Sequence, residues 1–169
     1  MKLLETERLT LRDITLDDAE FLVGLMNQPS WIRFIGDRGV RTAEEARTYL
    51  TNGPLAMHAK YGFGLYVTEL KDTGVPIGIC CLIKRDALPD VDIGYGFLPE
   101  YWGKGYAFES ASALFEYAKK TLGMTRIVAI TNSDNESSIK LLEKMGLHYE
   151  KMVRMSESEP EIKLFAWEA

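Results

Sequence analysis

Apolar and polar residues change their repeat several times along this chain, and each change marks an element boundary. Over residues 8–14, Leu9 and Leu11, with Asp13, alternate against Arg8, Thr10 and Arg12, the period of a strand with one covered face. Asp17 and Asp18 then open a helix through Met26, with Phe21, Leu22 and Leu25 along its apolar side. Thr42 with Glu45 makes a capping box, so a second helix starts there and runs to Tyr49 or beyond. Between the two helices, residues 29–41 (PSWIRFIGDRGVR) read as a loop rich in arginine and aromatic side chains.

The period then shortens. Residues 64–70 and 75–83 are apolar, β-branched runs joined by the turn KDTG, and they read as a hairpin. Residues 90–98 (DVDIGYGFL) add a third strand with Val91, Ile93, Tyr95 and Phe97 on one face; the other face, Asp92, Gly94 and Gly96, is unusually bare. The spacing of Ala107, Ala111, Leu114, Phe115 and Ala118 predicts a helix over 103–122. A strand at 126–131, a helix at 135–145 and strands at 147–155 and 161–167 complete the pattern. No repeat, low-complexity tract or linker interrupts it, so a single domain over residues 1–169 is expected. Its class is α/β (α+β), a mixed sheet with antiparallel edges, flanked by helices, around one central strand-turn-helix unit.

Composition narrows the function. A chain of 169 residues with 46% hydrophobic content suffices for one full core. The net charge of -5 offers no general attraction to phosphate backbones, which argues against nucleic acid as a partner. Charges interrupt the N-terminal MKLLETERLTLRD too often for a signal-peptide core or a membrane span, so a cytoplasmic location without membrane contact is expected. Cys80 and Cys81 are adjacent within an apolar run. They offer neither metal-ligand spacing nor a disulfide framework and read as core-strand residues; no metal is expected.

Candidate chemistry sits where the central strand meets its helix, LPEYWGKGYAFE at 98–109. A helix start leaves backbone N–H groups unpartnered and carries partial positive charge, and Gly103 and Gly105 remove side chains that would keep a diphosphate away. The same glycines also suit a tight strand-helix turn, and Lys104 either adds charge to a ligand or is a solvated surface lysine. Two better-known phosphate loops do not fit. Lys104 is followed by Gly105 where a magnesium-binding Walker loop has Ser or Thr. Phe108 stands where G-x-G-x-x-G needs its third glycine, and no acidic residue is evident at the ribose position.

The run DIGYGFLPEYWGKGYAFES, followed by ITNSDNESSIKLLEKMGL, resembles the GNAT superfamily of N-acetyltransferases, and within it the RimJ/RimL type that acetylates protein N-termini. ETERLTLRDITLDDAEFL also resembles that branch's opening, so the likeness covers almost the whole chain. The family's pyrophosphate loop, R/Q-x-x-G-x-G/A, maps onto Trp102, Gly105 and Ala107, with Trp102 departing from Arg/Gln. The resemblance implies an acetyl-CoA site in which backbone at Phe97 and Leu98 pairs with the pantetheine arm. The N–H groups of Gly103, Lys104, Gly105, Tyr106 and Ala107 would take the diphosphate. A splay between the central strand and the strand at 126–131 would admit the cofactor, with Asn132 and Asn135 at its edge; Asn135 would hydrogen-bond the pantetheine, serve as a helix N-cap, or both. The bare glycine face would leave room for substrate or thioester.

Acetyl transfer requires a neutral amine, a polarised thioester carbonyl and a proton for the leaving thiolate. Many relatives place a carboxylate where Asp92 stands, acting as base directly or through water. An aspartate with a pKa of about 3.9 needs burial or a water relay to help, and Asp92 is otherwise an exposed polar residue on a sheet face. Glu100 is the second candidate base, or a solvated loop residue. The tyrosine that many members use as the acid is replaced here by Leu142, which leaves Ser138 in N-x-x-S as the candidate donor to the thiolate, or a helix surface residue. His58 and His148 show no partner pattern and take no role. The segment 31–41, with Trp31, Arg33, Phe34, Arg38 and Arg41, resembles the family's acceptor-covering segment, its cations suited to an acidic peptide or a small carboxylate; alternatively it is a variable surface loop. The implied reaction is transfer from acetyl-CoA to a primary amine, with the N-terminal α-amine of a peptide or protein in first place. A small amine (polyamine, amino acid or aminoglycoside) and a non-catalytic acyl-CoA binding module are the alternatives, in a monomer or homodimer.

Overall fold

The computed structural model describes residues 1–169. Its strands are β1 (Lys2–Glu5), β2 (Leu9–Asp13), β3 (Leu65–Leu70), β4 (Pro76–Lys84), β5 (Val91–Phe97), β6 (Arg126–Thr131), β7 (His148–Val153) and β8 (Ile162–Glu168). They form one sheet in the order β1-β2-β3-β4-β5-β6-β8-β7, antiparallel throughout except between β5 and β6. The helices are α1 (Ala19–Met26), α2 (Pro29–Phe34), α3 (Ala43–Asn52), α4 (Pro54–Tyr61), α5 (Tyr106–Lys120) and α6 (Glu136–Met145).

Strand alternation sends side chains into two buried clusters, one on each face. Leu65, Val67, Ile79 and Cys81 pack with Leu22 and Leu25 of α1 and with Ala46 and Leu50 of α3. On the other face Tyr66, Cys80, Leu82, Ile93 and Phe97 pack with Leu114, Phe115 and Ala118 of α5 and Leu142 of α6. The face of β5 carrying Asp92, Gly94 and Gly96 therefore looks toward the α1–α3 layer.

The cap of α3 stands where the sequence pattern predicts it, whereas a 3-10 turn (Leu16–Asp18) precedes α1. Thr42 caps α3, its hydroxyl accepting from Glu45 N–H at 3.1 Å. Asp18 closes the 3-10 turn before α1, accepting from Thr15 N–H at 2.9 Å and holding Arg12 through both carboxylate oxygens at 2.8 and 2.9 Å. Other segments differ from the pattern. β1 is four residues long with a charge at each end, too short for alternation to show. The segment read as a loop over 29–41 begins as helix α2, because Pro29 is preset for a first helical turn and Trp31 is buried beneath it. α4 follows α3 directly and stops at Gly62, where φ is +83°. The helix expected from 103 starts at Tyr106, since Gly103 and Gly105 hold φ of +75° and +82°, outside the right-handed helical region.

Candidate active site

β5 and β6 share a single bridge, Asp92 with Val128, whereas β6 stays paired with β8 along its whole length to Thr131. Beyond Asp92 the two parallel strands part, and a cleft opens between them toward Phe97. Alternation decides which groups face it. Leu98 N–H donates to the Ile77 carbonyl of β4 at 2.9 Å, so the peptide groups of Phe97, one residue back, turn the opposite way, into the cleft. This corrects the expectation for Leu98, whose N–H belongs to the sheet. At Phe97 the carbonyl accepts the Trp102 indole N–H at 2.9 Å, and the N–H points into the same cleft.

Trp102 thereby pins the start of the turn that leads into α5. The first bond of that helix runs from Glu109 N–H to the Gly105 carbonyl at 3.0 Å. The N–H groups of Tyr106, Ala107 and Phe108 thus head a 15-residue helix without intrahelical acceptors, at its positive end. Lys104 is exposed, its ammonium 5.9 Å from the Tyr101 ring centroid.

This turn has a brace that the sequence pattern did not reveal. Arg8, just before β2, donates from Nη1 to the Lys104 carbonyl at 2.9 Å and from Nε to Glu109 at 2.7 Å, and its guanidinium lies 4.5 Å from the Tyr106 ring centroid. Thr6 also donates to Glu109, and Arg8 N–H does so at 2.9 Å. Burial pushes the Glu109 carboxyl up, but these bonds outweigh it and hold the group below the ordinary range. Arg8 is a hundred residues from the turn and sits in a strand-like alternation, so only the tertiary fold shows the contact. The Arg8→Ala variant is expected to raise KM for acetyl-CoA by about fivefold to tenfold with kcat within about twofold, since one charged hydrogen bond to the turn and its cation are lost. Steady-state kinetics at varied acetyl-CoA check this; an unchanged KM would mean that the brace has no part in donor binding.

The α6 side of the cleft carries the asparagines. Asn132 donates its amide to the Phe34 carbonyl at 3.1 Å and reaches that of Arg33 at 3.5 Å, so it caps the C-terminal end of α2. Arg33 pairs with Asp134 at 3.2 Å, a second link between α2 and the loop before α6. Asn135 is the N-cap of α6, its side-chain oxygen accepting from Ser138 N–H at 3.3 Å. Ser138 Oγ lies 2.9 Å from the hydroxyl of Tyr95, a β5 residue that sequence reasoning placed only on a face.

The opposite face of β5 is filled at Gly96. A Cβ on Gly96 would fall 2.3 Å from the Trp31 ring, and one on Gly94 would fall 3.1 Å from Cys81 Sγ. Room for substrate therefore does not lie over Gly96, since the Trp31 indole occupies that space, whereas Gly94 stays partly exposed. Asp92, read either as a candidate base that needs burial or as an exposed polar residue, is 1% exposed and bound to Arg85 Nε at 2.6 Å. Burial raises its carboxyl above the usual range, with Arg85 pulling the other way. Glu100, in the 3-10 turn Pro99–Tyr101 after β5, is exposed. The cations of 31–41 are largely matched within the chain: Arg33 by Asp134, and Arg41 by both oxygens of Asp37 at 2.9 and 2.6 Å. Arg38 sits 5.8 Å from the Tyr49 ring centroid, on a surface cavity of about 420 Å³ that Glu44 and Glu45 also line.

The family described as "Acetyltransferase (GNAT) domain" matches residues 8–148. The chain belongs to the GNAT acetyltransferases. An uncharacterized N-acetyltransferase of Bacillus subtilis, YoaA, is 32% identical over 154 residues, 90% of this chain and 86% of its own. A crystal structure of an acetyltransferase from Agrobacterium tumefaciens superposes with a TM-score of 0.83 at 25% identity, covering 98% of this chain and 94% of that one. The RimL ribosomal L7/L12 alpha-N-protein acetyltransferase, solved in complex with coenzyme A, shares the fold at a TM-score of 0.84 and 17% identity, covering 99% and 98%. GNAT acetyltransferases draw the acetyl group from acetyl-CoA, and the cleft of this one fits such a donor. Gly103 faces open space and a Cβ on Gly105 would approach only Arg8 Nη2, at 3.3 Å, so no side chain of the turn covers the N–H groups at the start of α5.

Proposed function

We propose that this GNAT acetyltransferase transfers the acetyl group of acetyl-CoA to the N-terminal α-amine of a peptide or protein. The observation that carries this choice is the closed Asp92–Arg85 pair, which leaves the interior of the site without an unpaired base. An acceptor that is partly neutral by itself suits such a site. At pH 7 roughly a tenth of an α-amine is neutral, against well under about a thousandth of a lysine side chain.

In this reading the N–H groups from Gly103 to Ala107 hold the diphosphate, flanked by Lys104 and Arg8. The cleft edge of β5 at Phe97 pairs with the pantetheine arm and polarises the thioester carbonyl. Asn135 orients Ser138, which donates a hydrogen bond to the sulfur as it departs. Glu100, at the mouth, receives the proton of the amine from the solvent side. Trp31 and Phe34 of α2 wall the acceptor side, with Arg33 and Arg38 at its rim.

The test is free-thiol release from acetyl-CoA with tetrapeptides beginning in Ala, Ser or Met, and with glycine, spermidine and kanamycin, followed by mass spectrometry of the products. One new acetyl group on a peptide α-amine is expected, with kcat/KM rising roughly fivefold from pH 7 to pH 8 as the amine loses its proton. Product only on the small amines would assign the enzyme to those acceptors instead. The Ser138→Ala variant should lower kcat about tenfold with little change in KM, the loss of one hydrogen bond made as charge develops on sulfur.

A further inference from the structure

Tyr95 and Ser138 meet at the cleft, one from β5 and the other from the first turn of α6, with their oxygens 2.9 Å apart. Of two hydroxyls in contact the stronger acid is the better donor. A phenol titrates at about 10, whereas a serine hydroxyl does not titrate in water. Acidity thus favours Tyr95 as donor and Ser138 as acceptor, an arrangement that leaves the serine's own hydrogen for a third group. Neither partner is loosely held. The Tyr95 ring packs against the cluster that includes Ile93, Phe97 and Leu142, and the Ser138 N–H is bound by Asn135. An accepted hydrogen bond also polarises the O–H of the acceptor and makes it a stronger donor in turn.

We infer, on the reading of Ser138 given above, that Tyr95 is a positioning residue for acetyl transfer, aiming the Ser138 hydrogen at the departing sulfur. In that step the amine nitrogen bonds to the carbonyl carbon and the carbon–sulfur bond breaks, its electron pair staying on sulfur. The proton released by the nitrogen passes through Glu100 at the mouth to solvent, and one from solvent completes the thiol. Until that proton arrives, the Ser138 hydrogen bond shares the charge on sulfur, and the pair ends the step in the protonation state in which it began. Burial pushes the Tyr95 hydroxyl up to about 12, offset only in part by Ser138, so it remains a donor at neutral and mildly alkaline pH.

The experiment compares wild type, Tyr95→Phe, Ser138→Ala and the double variant, using acetyl-CoA with whichever of the tetrapeptides, spermidine or kanamycin gives the fastest turnover. Tyr95→Phe removes one oxygen and keeps the packed ring, and its melting temperature checks that the fold is intact. The expected result is kcat lowered about fivefold to tenfold in Tyr95→Phe with KM for acetyl-CoA unchanged, and a double variant no slower than Ser138→Ala. A basic limb of kcat unaltered by Tyr95→Phe is expected as well, because the phenol titrates above the range assayed. Wild-type kcat in Tyr95→Phe beside an impaired Ser138→Ala would overturn the positioning role alone. Losses that multiply in the double variant would also overturn it, since Tyr95 would then act independently of Ser138. Wild-type kcat in Ser138→Ala would remove the underlying reading of Ser138, a distinct outcome.

Discussion

Replacing Gly105 by glutamate is expected to abolish acetyl-CoA binding, with calorimetric titration giving a Kd for CoA weaker by at least about 100-fold. Three effects add at this position. The backbone sits at φ +82°, a conformation that side-chain-bearing residues adopt only under strain of about 1–3 kcal/mol. The new side chain also starts 3.3 Å from Arg8 Nη2, so its carboxylate captures the guanidinium that otherwise faces the ligand. Lastly, that carboxylate stands at the positive end of α5, where it satisfies the helix start and repels the diphosphate. Because the charge is favourable for the helix itself, the protein should fold while its anion site is occupied from within. Gly105→Ala isolates the strain and should cost only several-fold in affinity. Wild-type affinity in the glutamate variant would remove the turn from the donor site.

The second large effect is expected at Gly96. Its alanine variant puts a methyl group 2.3 Å from the Trp31 ring, well inside contact distance, so either β5 or the indole has to move. Overpacking of a filled interior should lower stability by about 2–3 kcal/mol, which corresponds to about 5–10 °C in melting temperature for a chain of this size. Trp31 is nearly buried, so its displacement toward water should red-shift part of the tryptophan emission, and KM for the acceptor should rise as α2 is pushed out. Unchanged melting and emission together would contradict the packing of Trp31 on this strand.

What the sequence revealed depended on how local each cause is. The caps at Thr42 and Asn135 depend on side chains three residues from their partners, and both stand where the pattern predicts them. The strands of the hairpin announced themselves through apolar, β-branched runs, and β5 through strict alternation of Val91, Ile93, Tyr95 and Phe97 against small or polar residues. The glycines before α5 marked the strand-helix turn, although the pattern began the helix three residues early because apolar spacing does not register a positive φ. Features that rest on distant partners stayed hidden. Arg8 finds the turn only when β2 is paired into the sheet, Gly96 read as empty space because nothing in its neighbourhood names Trp31, and the alternation that gave Tyr95 its face could not give it Ser138. The partner of Asp92 stayed hidden too, because Arg85, seven residues away across a turn, carries no periodic signal.

The lone bridge between Asp92 and Val128 divides the sheet into two antiparallel leaves, β1 to β5 and β6 with β8 and β7, joined along a seam with one rung. A donor whose amide groups line the parted strands supplies the rungs that the chain itself omits. Donor binding and cohesion of the two leaves are then one event: amide hydrogens of β5 and β6 beyond the bridge should exchange more slowly once CoA is added, while those of the β2 to β4 ladder, already complete, should change little.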